Sequence, residues 1–460
     1  MLSKIKFYTQ VNLRVIPFIV FIIFIDAIQF SLKPSGFAVG DSLRYGVGTH
    51  RDWKYLSFFG NSVRNWPIVL VNLVLDNSIL QTAAQFLLSI GVWTYLLINI
   101  RRLFPIKLFF LPASIICIFL ATTELVSWNS TLLAESYGIS TLVLTFSFFL
   151  RQLVEPTMKN QYLLALTFYL WISLQSRNFI SGLVLVILLF IVYKFFSISP
   201  VFKISKFFLL FFSLLLVHSS IVNINQTNQF FDTNISYKTL STFYTFTGQP
   251  EAPSVRSELF KVKEFGCMKN ANFGDIFSVI KFSQDDCPDT LKWLNNHYQN
   301  WYFRYLIQHP QSGIRLAGFG LIAGNKPNVL YAGTVSVIPI SLESLFFGDR
   351  NISVGSLANG GEVLNPSDIK SNSPIFIWIF IFLCFTFYLI KCRRSNLNKA
   401  HFTLETYLVI FGFWALFNII FYSIINPAEF FKTSVQSFTL FVVINSLLLT
   451  RFIESNNKGR

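Results

Sequence analysis

The chain has 460 residues, of which 53% are hydrophobic and only 13% are charged. This composition excludes a soluble globular protein of this length and is typical of a polytopic membrane protein. The formal net charge is +15. Lys and Arg stand between apolar runs, however, and form no basic patch on a polar domain, so nucleic-acid binding is not predicted.

About ten segments are apolar and long enough to cross a bilayer as helices, since a span needs about 20 such residues. In chain order these segments are 13–32, 79–100, 108–126, 131–150, 161–176, 179–196, 207–223, 374–390, 403–425 and 434–450. No small-residue cleavage site follows the first segment, so it is predicted to be a retained helix. The predicted fold is an α-helical polytopic membrane protein.

The basic residues between the spans predict the orientation. With the N-terminus in the cytoplasm, the short cytoplasmic segments collect residues such as Arg101, Arg102 and Arg151, against only Glu155 and Glu454. The positive-inside rule then predicts that both termini are cytoplasmic. The compact ten-helix form favours a bacterial inner (plasma) membrane.

This topology divides the chain into a transmembrane module (1–224), an extracytoplasmic loop domain (225–373) and C-terminal spans (374–460). The loop domain is predicted to be small and mixed. We expect a helix over 290–310, where aromatic residues recur at helical spacing before Pro310, and loops elsewhere. Cys267 and Cys287 lie in this domain. Two cysteines in an oxidising compartment most often pair, and two free thiols are the alternative.

The first outside loop carries the segment PSGFAVGDSLRYGVGTHRDWKYL. Asp41 lies there between Gly40 and Ser42, and the glycine lets a ligand approach the backbone, so the carboxylate is a candidate general base. The sequence DSLRY equally fits a helix N-cap at Asp41. Residues 53–76 mix Trp, Phe and Leu with basic side chains, which predicts interfacial helices or a plain amphipathic packing helix.

Other ionisable residues lie at the predicted outer ends of the spans. Glu135 opens the fourth span and Glu124 approaches from the third, so the two acids could share proton transfer, hold a metal ion, or pair with Arg64 or Arg177. Arg177, in the short connection LQSRNF, is suited to bind phosphate or to reach lipid headgroups. Asp26, deeper in the first span, is predicted to be a buried hydrogen-bonding partner.

Four Asn-x-Ser/Thr sites fall on the predicted outside and are compatible with the topology: Asn129, Asn225, Asn234 and Asn351. Neither an ATP-binding loop nor a dinucleotide-binding motif occurs in the sequence, so ATP-driven transport is not predicted.

Together these features resemble the GT-C superfamily of integral membrane glycosyltransferases, which use polyprenyl-phosphate-linked sugars as donors. The resemblance rests on Asp41 in GDSLRY, the interfacial segment 53–76, the segment WNSTLLAESYGIS, the SRN connection after the fifth span and a soluble loop after the seventh. It covers about half of the chain. The paired acidic motif of several subfamilies is absent here, because Ser42 follows Asp41.

The resemblance implies a GT-C-like core of seven helices and direct displacement of a lipid phosphate by a glycan, lipid or protein acceptor on the extracytoplasmic face. Asp41 would be the base and Arg177 would hold the donor phosphate. Glu135, also a catalytic candidate, would line the sugar or acceptor cavity with Ser136. Asp41, Glu135 and Arg177 are expected to converge within about 15 Å on one cavity. The further substrate-binding candidates are Arg44, Tyr45, His50, Arg64, Glu124 and Ser136. No cofactor or metal site is assigned, although the resemblance leaves a divalent metal ion open.

Two other functions remain open. A transporter or flippase of a lipid-linked glycan would line its path with Asp26, Glu124 and Arg177. A glycan polymerase or ligase would use polar residues of the large loop, such as His297, Arg304 and His309. The outward acids favour the transferase, and the scarcity of mid-helix charges other than Asp26 disfavours transport.

Overall fold

A computed structural model describes much of the chain, and most of the residues it describes are helical, with no strand among them. These residues are 14–32, 34–35, 67, 70–71, 74–75, 77–121, 125, 129, 134–174, 181–189, 213, 242–243, 245–247, 251–273, 276–323, 375–393, 399–425 and 430–458.

The first group of helices builds one side of a bundle. They are α1 (Ile16–Leu32), α2 (Ser78–Leu103), α3 (Ile106–Leu120), α4 (Ala134–Val154) and α5 (Met158–Leu174), followed by a helical stretch at 181–189. The later helices are α6 (Ala252–Leu259), a 3-10 helix (Lys263–Asn270), α7 (Ile276–Asp285), α8 (Pro288–Gln308), α9 (Pro310–Ala323), α10 (Ile375–Arg393), α11 (Lys399–Ile425) and α12 (Phe430–Lys458).

Every predicted span except 207–223 overlaps a helix, and of that segment only residue 213 is described. Within the described residues, four helices are long and apolar enough to cross a membrane: Ser78–Leu103, Ser136–Val154, Leu404–Ile424 and Val435–Ser455. Shorter apolar helices cover Ile16–Ser31, Ile106–Leu120 and Trp378–Tyr388. The chain is therefore a helical membrane protein, as predicted, and the number of ten spans stays a prediction.

The bundle packs its helices closely around buried aromatic rings. α4 lies against α2 and α5, while α12 lies against α11, α3 and α4. Trp93, Trp171 and Trp414 are almost fully buried. At Gly412 the helices approach so closely that an added Cβ would lie 2.6 Å from Cζ of Phe382. Small residues permit such close contacts between membrane helices, where lipid supplies little hydrophobic drive for association.

Basic side chains gather at one end of the bundle, which we call the basic end. Arg102 and Arg151 lie 3.8 Å and 3.7 Å from the carboxylate of Glu155. The guanidinium of Arg451 lies 5.0 Å from the ring centre of Phe104. This end joins the last turns of α2, α4 and α12, so the opposite end holds the end of α1 and the starts of α2 and α4. We call the opposite end the distal end, which the charge pattern predicts to be extracytoplasmic.

A second hydrophobic core, which we call the distal domain, forms from residues 242–308. Its buried residues include Phe243, Phe246, Phe265 and Tyr298. The predicted disulfide is confirmed, since Cys267 and Cys287 are bonded with their Cα atoms 6.1 Å apart. It joins the 3-10 helix to the N-terminus of α8.

The predicted helix before Pro310 is confirmed as α8, but the expectation of loops beyond it is wrong over 310–323, where α9 forms. The described part of the domain consists of helices joined by short turns, as at 260–262 and 271–273. α9 packs along α11, which follows much later in the chain. At the end of α8, the hydroxyl of Tyr302 donates to the carbonyl of Ile424 at 3.1 Å.

Candidate functional site

Most of the predicted site residues lie outside the part of the chain that the structure describes. These are Asp41, Arg44, Tyr45, His50, Arg64, Glu124 and Arg177, together with most of the interfacial segment 53–76. Glu135 lies in the first turn of α4, and its side chain is also outside the described set. The convergence of Asp41, Glu135 and Arg177 therefore stays a prediction. Ser136 is described, and it leads to a polar site.

Ser136 belongs to a hydrogen-bonded chain that we call the distal polar network. Its hydroxyl donates to Oδ1 of Asn129 at 2.9 Å, and Nδ2 of Asn129 donates to Oδ1 of Asp26 at 3.3 Å. The three residues are 1%, 7% and 3% exposed. The network thereby ties the start of α4 to the interior of α1, and the prediction that Asp26 is a buried hydrogen-bonding partner is confirmed.

Apolar side chains surround one side of this network, and further polar groups lie close to it in sequence. Ile25, beside Asp26, packs with Phe86 of α2. Gln85, which precedes Phe86, is buried, and so is Tyr137, which follows Ser136. Neither Oε1 of Gln85 nor the hydroxyl of Tyr137 meets a hydrogen-bond partner among the described residues. Buried polar atoms are normally paired, so these two atoms are exceptions among the described residues.

A second set of polar contacts begins two residues after Ser136. At Gly138 an added Cβ would lie 2.6 Å from Nε2 of Gln436, so the glycine makes room for that side chain. Oε1 of Gln436 accepts a hydrogen bond from Nε1 of Trp171 at 2.9 Å. Trp171 lies against Trp414, with ring centres 5.6 Å apart. These contacts connect α4, α12 and α5 near their distal ends with the middle of α11.

The connection that holds Arg177 begins and ends beside this second set. α5 ends at Leu174, three residues after Trp171, and the next described residue is Ser181. The backbone carbonyl of Ser181 accepts a hydrogen bond from Nε1 of Trp414 at 2.8 Å. The hydroxyls of Ser173 and Ser181 are buried without a hydrogen-bond partner in the described ranges. The ends of the Arg177 connection are therefore anchored at the distal end of the bundle.

The described residues do not supply a metal site. No group of three His, Cys, Asp or Glu side chains gathers among them. Within the distal polar network Asp26 is the one carboxylate, and its Oδ1 already accepts from Asn129. A divalent cation of the magnesium type needs several oxygen ligands, which this set does not provide.

The sequence indicated Ser136 and Asp26 but missed what joins them. Asn129 stands in the segment NST and was interpreted only as a possible glycosylation site, yet its side chain is buried and bonded on both sides. The sequence did indicate that Asp26 has a polar partner, because a lone carboxyl in an apolar helix requires one. Gly138 and Gln436 gave no comparable signal, since they are far apart in the chain and carry no recognisable motif.

Comparison with protein-family models finds none that matches this chain, and comparison with curated proteins also finds no match. The resemblance to glycosyltransferases therefore rests on the short motifs quoted above.

Proposed function

We propose that this protein is an integral membrane glycosyltransferase of the GT-C type. It would move a sugar from a polyprenyl-phosphate-linked donor to a glycan, lipid or protein acceptor on the extracytoplasmic face of a bacterial inner membrane. The observation that supports this proposal best is the distal polar network of Asp26, Asn129 and Ser136. It sets a buried polar region at one end of an apolar bundle, beside the first turn of α4 that carries Glu135.

The proposed chemistry needs one base and one cation. The carboxylate of Asp41 takes the proton of an acceptor hydroxyl, and the acceptor oxygen forms a bond to the anomeric carbon of the donor sugar. The bond from that carbon to the phosphate oxygen breaks, and polyprenyl phosphate leaves with the bonding electron pair. Arg177 stabilises the phosphate by paired hydrogen bonds. The anomeric configuration is inverted, because the attack is a single direct displacement.

The distal polar network would act as a positioning element in this reaction. α1 ends at Leu32, nine residues before Asp41, and the network ties α1 to the start of α4. It therefore holds together the two segments from which the proposed base and Glu135 extend. Fixed geometry of this kind lowers the cost of bringing the reacting groups together.

The test uses the full-length protein in lipid nanodiscs with a panel of short-chain polyprenyl-phosphate sugars. Released polyprenyl phosphate reports transfer. We expect Asp41→Asn to lower the rate at least about 100-fold, as loss of a general base does, with an unchanged melting temperature. Asp52→Asn, in the same loop, is the matched control and should keep the rate. Undiminished transfer by Asp41→Asn would overturn the assignment of the base.

The role of Arg177 is tested separately through donor affinity. Arg177→Ala should raise the donor KM about tenfold or more, while Arg177→Lys should recover part of the loss because the positive charge remains. A KM that stays at the wild-type value in Arg177→Ala would assign this side chain to lipid headgroups.

Transport of a lipid-linked glycan is the second candidate, and the observation in its favour is the carboxyl of Asp26 inside an apolar helix. Asp26→Asn separates the two functions. A neutral amide can still accept the hydrogen bond from Asn129, so a transferase should retain most of its rate. A transporter that depends on this carboxyl should lose movement of a fluorescent lipid-linked oligosaccharide across vesicle membranes.

The polymerase or ligase alternative receives less support. His297 and His309 lie on α8 and at its C-cap, separated by twelve residues or about 18 Å along the helix. Both side chains are exposed, as is Arg304. One small site could not use both histidines directly.

A further inference from the structure

The distal domain carries a groove of about 560 Å³ beside its disulfide. One wall is the start of the 3-10 helix, with Lys263, Glu264 and Cys267. The other wall runs from Asp286 through the first turns of α8 to His297. The groove is open to solvent and lies at the N-terminal end of α8.

The two walls of the groove are held in a fixed relation. The Cys267–Cys287 bond joins them covalently. The hydroxyl of Thr290 donates to the backbone carbonyl of Glu264 and lies 3.1 Å from Sγ of Cys267. Met268 is fully buried beneath the 3-10 helix. A groove fixed in this way requires little ordering when a ligand binds, which favours affinity.

The lining combines one large aromatic ring with planar polar groups. Trp293 is half-buried, so part of its ring faces the groove, and the side chains of Asp286, Asp289 and Asn296 are exposed around it. Carboxylates and amides of this kind can bond pairs of neighbouring hydroxyls, and the ring offers an apolar face. Binding sites typically join such an apolar surface to a few polar groups that fix orientation.

The charges of the groove disfavour a strongly anionic ligand. Lys263 and Lys292 are opposed by Glu264, Asp286 and Asp289, so acids outnumber bases in the lining. Phosphate-rich chains are bound by surfaces with an excess of Lys and Arg. A neutral ligand with many hydroxyl groups fits this lining better.

Aromatic rings continue from the groove along α8 and wind partly around the helix. They occur at every fourth position: Trp293, His297, Trp301, Tyr305 and His309. Ring centres are 6.2 Å apart for Trp293 and His297, 5.5 Å for Trp301 and Tyr305, and 4.7 Å for Tyr305 and His309. The stripe extends over about 24 Å of helix. Tyr302, next to Trp301 of the stripe, bonds to Ile424 of α11.

We propose that the groove binds an oligosaccharide, with a sugar ring stacked on Trp293 and its hydroxyls bonded by Asp289 and Asn296. The bound glycan would be the acceptor of the transfer reaction, a role that rests on the function proposed above. Trp293 lies nine residues before Tyr302, or about 14 Å along α8 from this contact with the bundle. A ligand there comes from the aqueous phase, and α8 connects the groove with the bundle.

The experiment measures binding without any donor, using the full-length protein in nanodiscs. Neutral gluco-, manno-, galacto- and chito-oligosaccharides of four to six sugars are titrated by calorimetry. We expect at least one of them to bind and Trp293→Ala to weaken that binding about tenfold or more, as loss of a central aromatic contact does. Asp289→Asn should weaken it less. Phe303→Ala is the matched control, because Phe303 is a 66% exposed aromatic residue of α8 outside the groove.

The outcomes separate this inference from the proposed function. If none of the four oligosaccharide classes binds, or if Trp293→Ala binds the sugar as well as the wild type does, the inference is overturned, even where transfer is observed. Binding of unglycosylated peptides in the groove without sugar binding would overturn it as well. Sugar binding that depends on Trp293, in a protein that shows no transfer with any donor, would leave the groove assigned and overturn the transferase.

Discussion

The helices of the bundle and the helices of the distal domain are held together by different interactions. In the bundle, helices meet at glycines, and polar side chains bond across helices, as in the network of Asp26, Asn129 and Ser136. In the distal domain, short helices are joined by a disulfide, and a two-point ion pair between Glu251 and Arg315, whose shortest distance is 2.7 Å, links the domain to α9.

The difference follows from the solvent of each region. Lipid tails are as apolar as leucine, so membrane helices gain little from burying apolar surface and depend on close packing and interhelical hydrogen bonds. A small domain in water gains from apolar burial but has too little of it, so a covalent link adds stability. Perturbing one region should therefore leave the other largely intact, and four variants, each with a control, test that separation.

Removing the disulfide should have the largest effect and should be confined to the distal domain. The double substitution Cys267→Ser and Cys287→Ser opens a loop of 20 residues, which should lower the free energy of unfolding of the domain by about 3 kcal/mol. The loss of stability in the distal domain is measured by its susceptibility to proteases. The stability of the bundle is measured in parallel by thermal melting in detergent. Cys384→Ser is the control, because Cys384 is a free, exposed cysteine of α10. Equal loss of stability in the bundle would contradict the separation.

Gly412→Ala should destabilise the bundle by about 2 kcal/mol, because the new methyl group overpacks its contact with Phe382. The ring of Phe382 has little room to move, since it lies 5.0 Å from Phe413 and 5.3 Å from Phe441 between ring centres. Thermal unfolding in detergent gives the measurement. At Gly91 nothing lies within 4 Å of an added Cβ, so Gly91→Ala should stabilise α2 by up to about 1 kcal/mol. Similar shifts for both variants would show that close packing is not decisive.

Asn129→Ala should cost the bundle about 1 to 2 kcal/mol, because it removes the donor to Asp26 and the acceptor for Ser136. Chemical denaturation in mixed micelles measures the loss. Asn445→Ala is a matched control, since Asn445 is buried but bonds to Phe441 of its own helix. The prediction fails if the control variant loses as much stability as Asn129→Ala.

Tyr298→Phe should have the smallest effect at neutral pH, under about 1 kcal/mol, as it removes only the hydroxyl contact with Thr245. Its effect appears in alkali. Burial raises the pKa of Tyr298 well above its ordinary value of about 10, and neighbouring Tyr302 adds to this. In the wild type the unfolded chain ionises first as the pH rises through about 10, so the distal domain loses stability above that pH.

The variant lacks this titrating group and should lose less stability between pH 8 and pH 11. Circular dichroism of the distal domain at both pH values measures the difference. Tyr162→Phe, on an exposed position of α5 in the bundle, should leave the alkaline loss unchanged. An identical alkaline loss in Tyr298→Phe and the wild type would exclude Tyr298 as its source.

Much of the fold could be predicted, because local patterns in the sequence determine where its helices form. Apolar runs located the helices of the bundle, aromatic spacing and Pro310 located α8, and the presence of two cysteines in one predicted outside loop indicated the disulfide. α9 could not be predicted in this way, because the helix on which it packs, α11, lies far along the chain. The candidate site was predicted only in part, at Ser136 and Asp26.

The sequence by itself determined the class of protein, since the length and apolar character of a span depend only on neighbouring residues and bilayer thickness. It also predicted that the basic residues between the spans lie at the cytoplasmic end of the bundle. Only the tertiary structure decided that Asn129 joins Asp26, 103 residues away, to Ser136. It also decided that the side chain of Gln436 packs against Gly138. The reason is physical: a polar group buried in an apolar bundle must be satisfied by whatever the packing of helices brings within reach, and that packing is set by the whole chain.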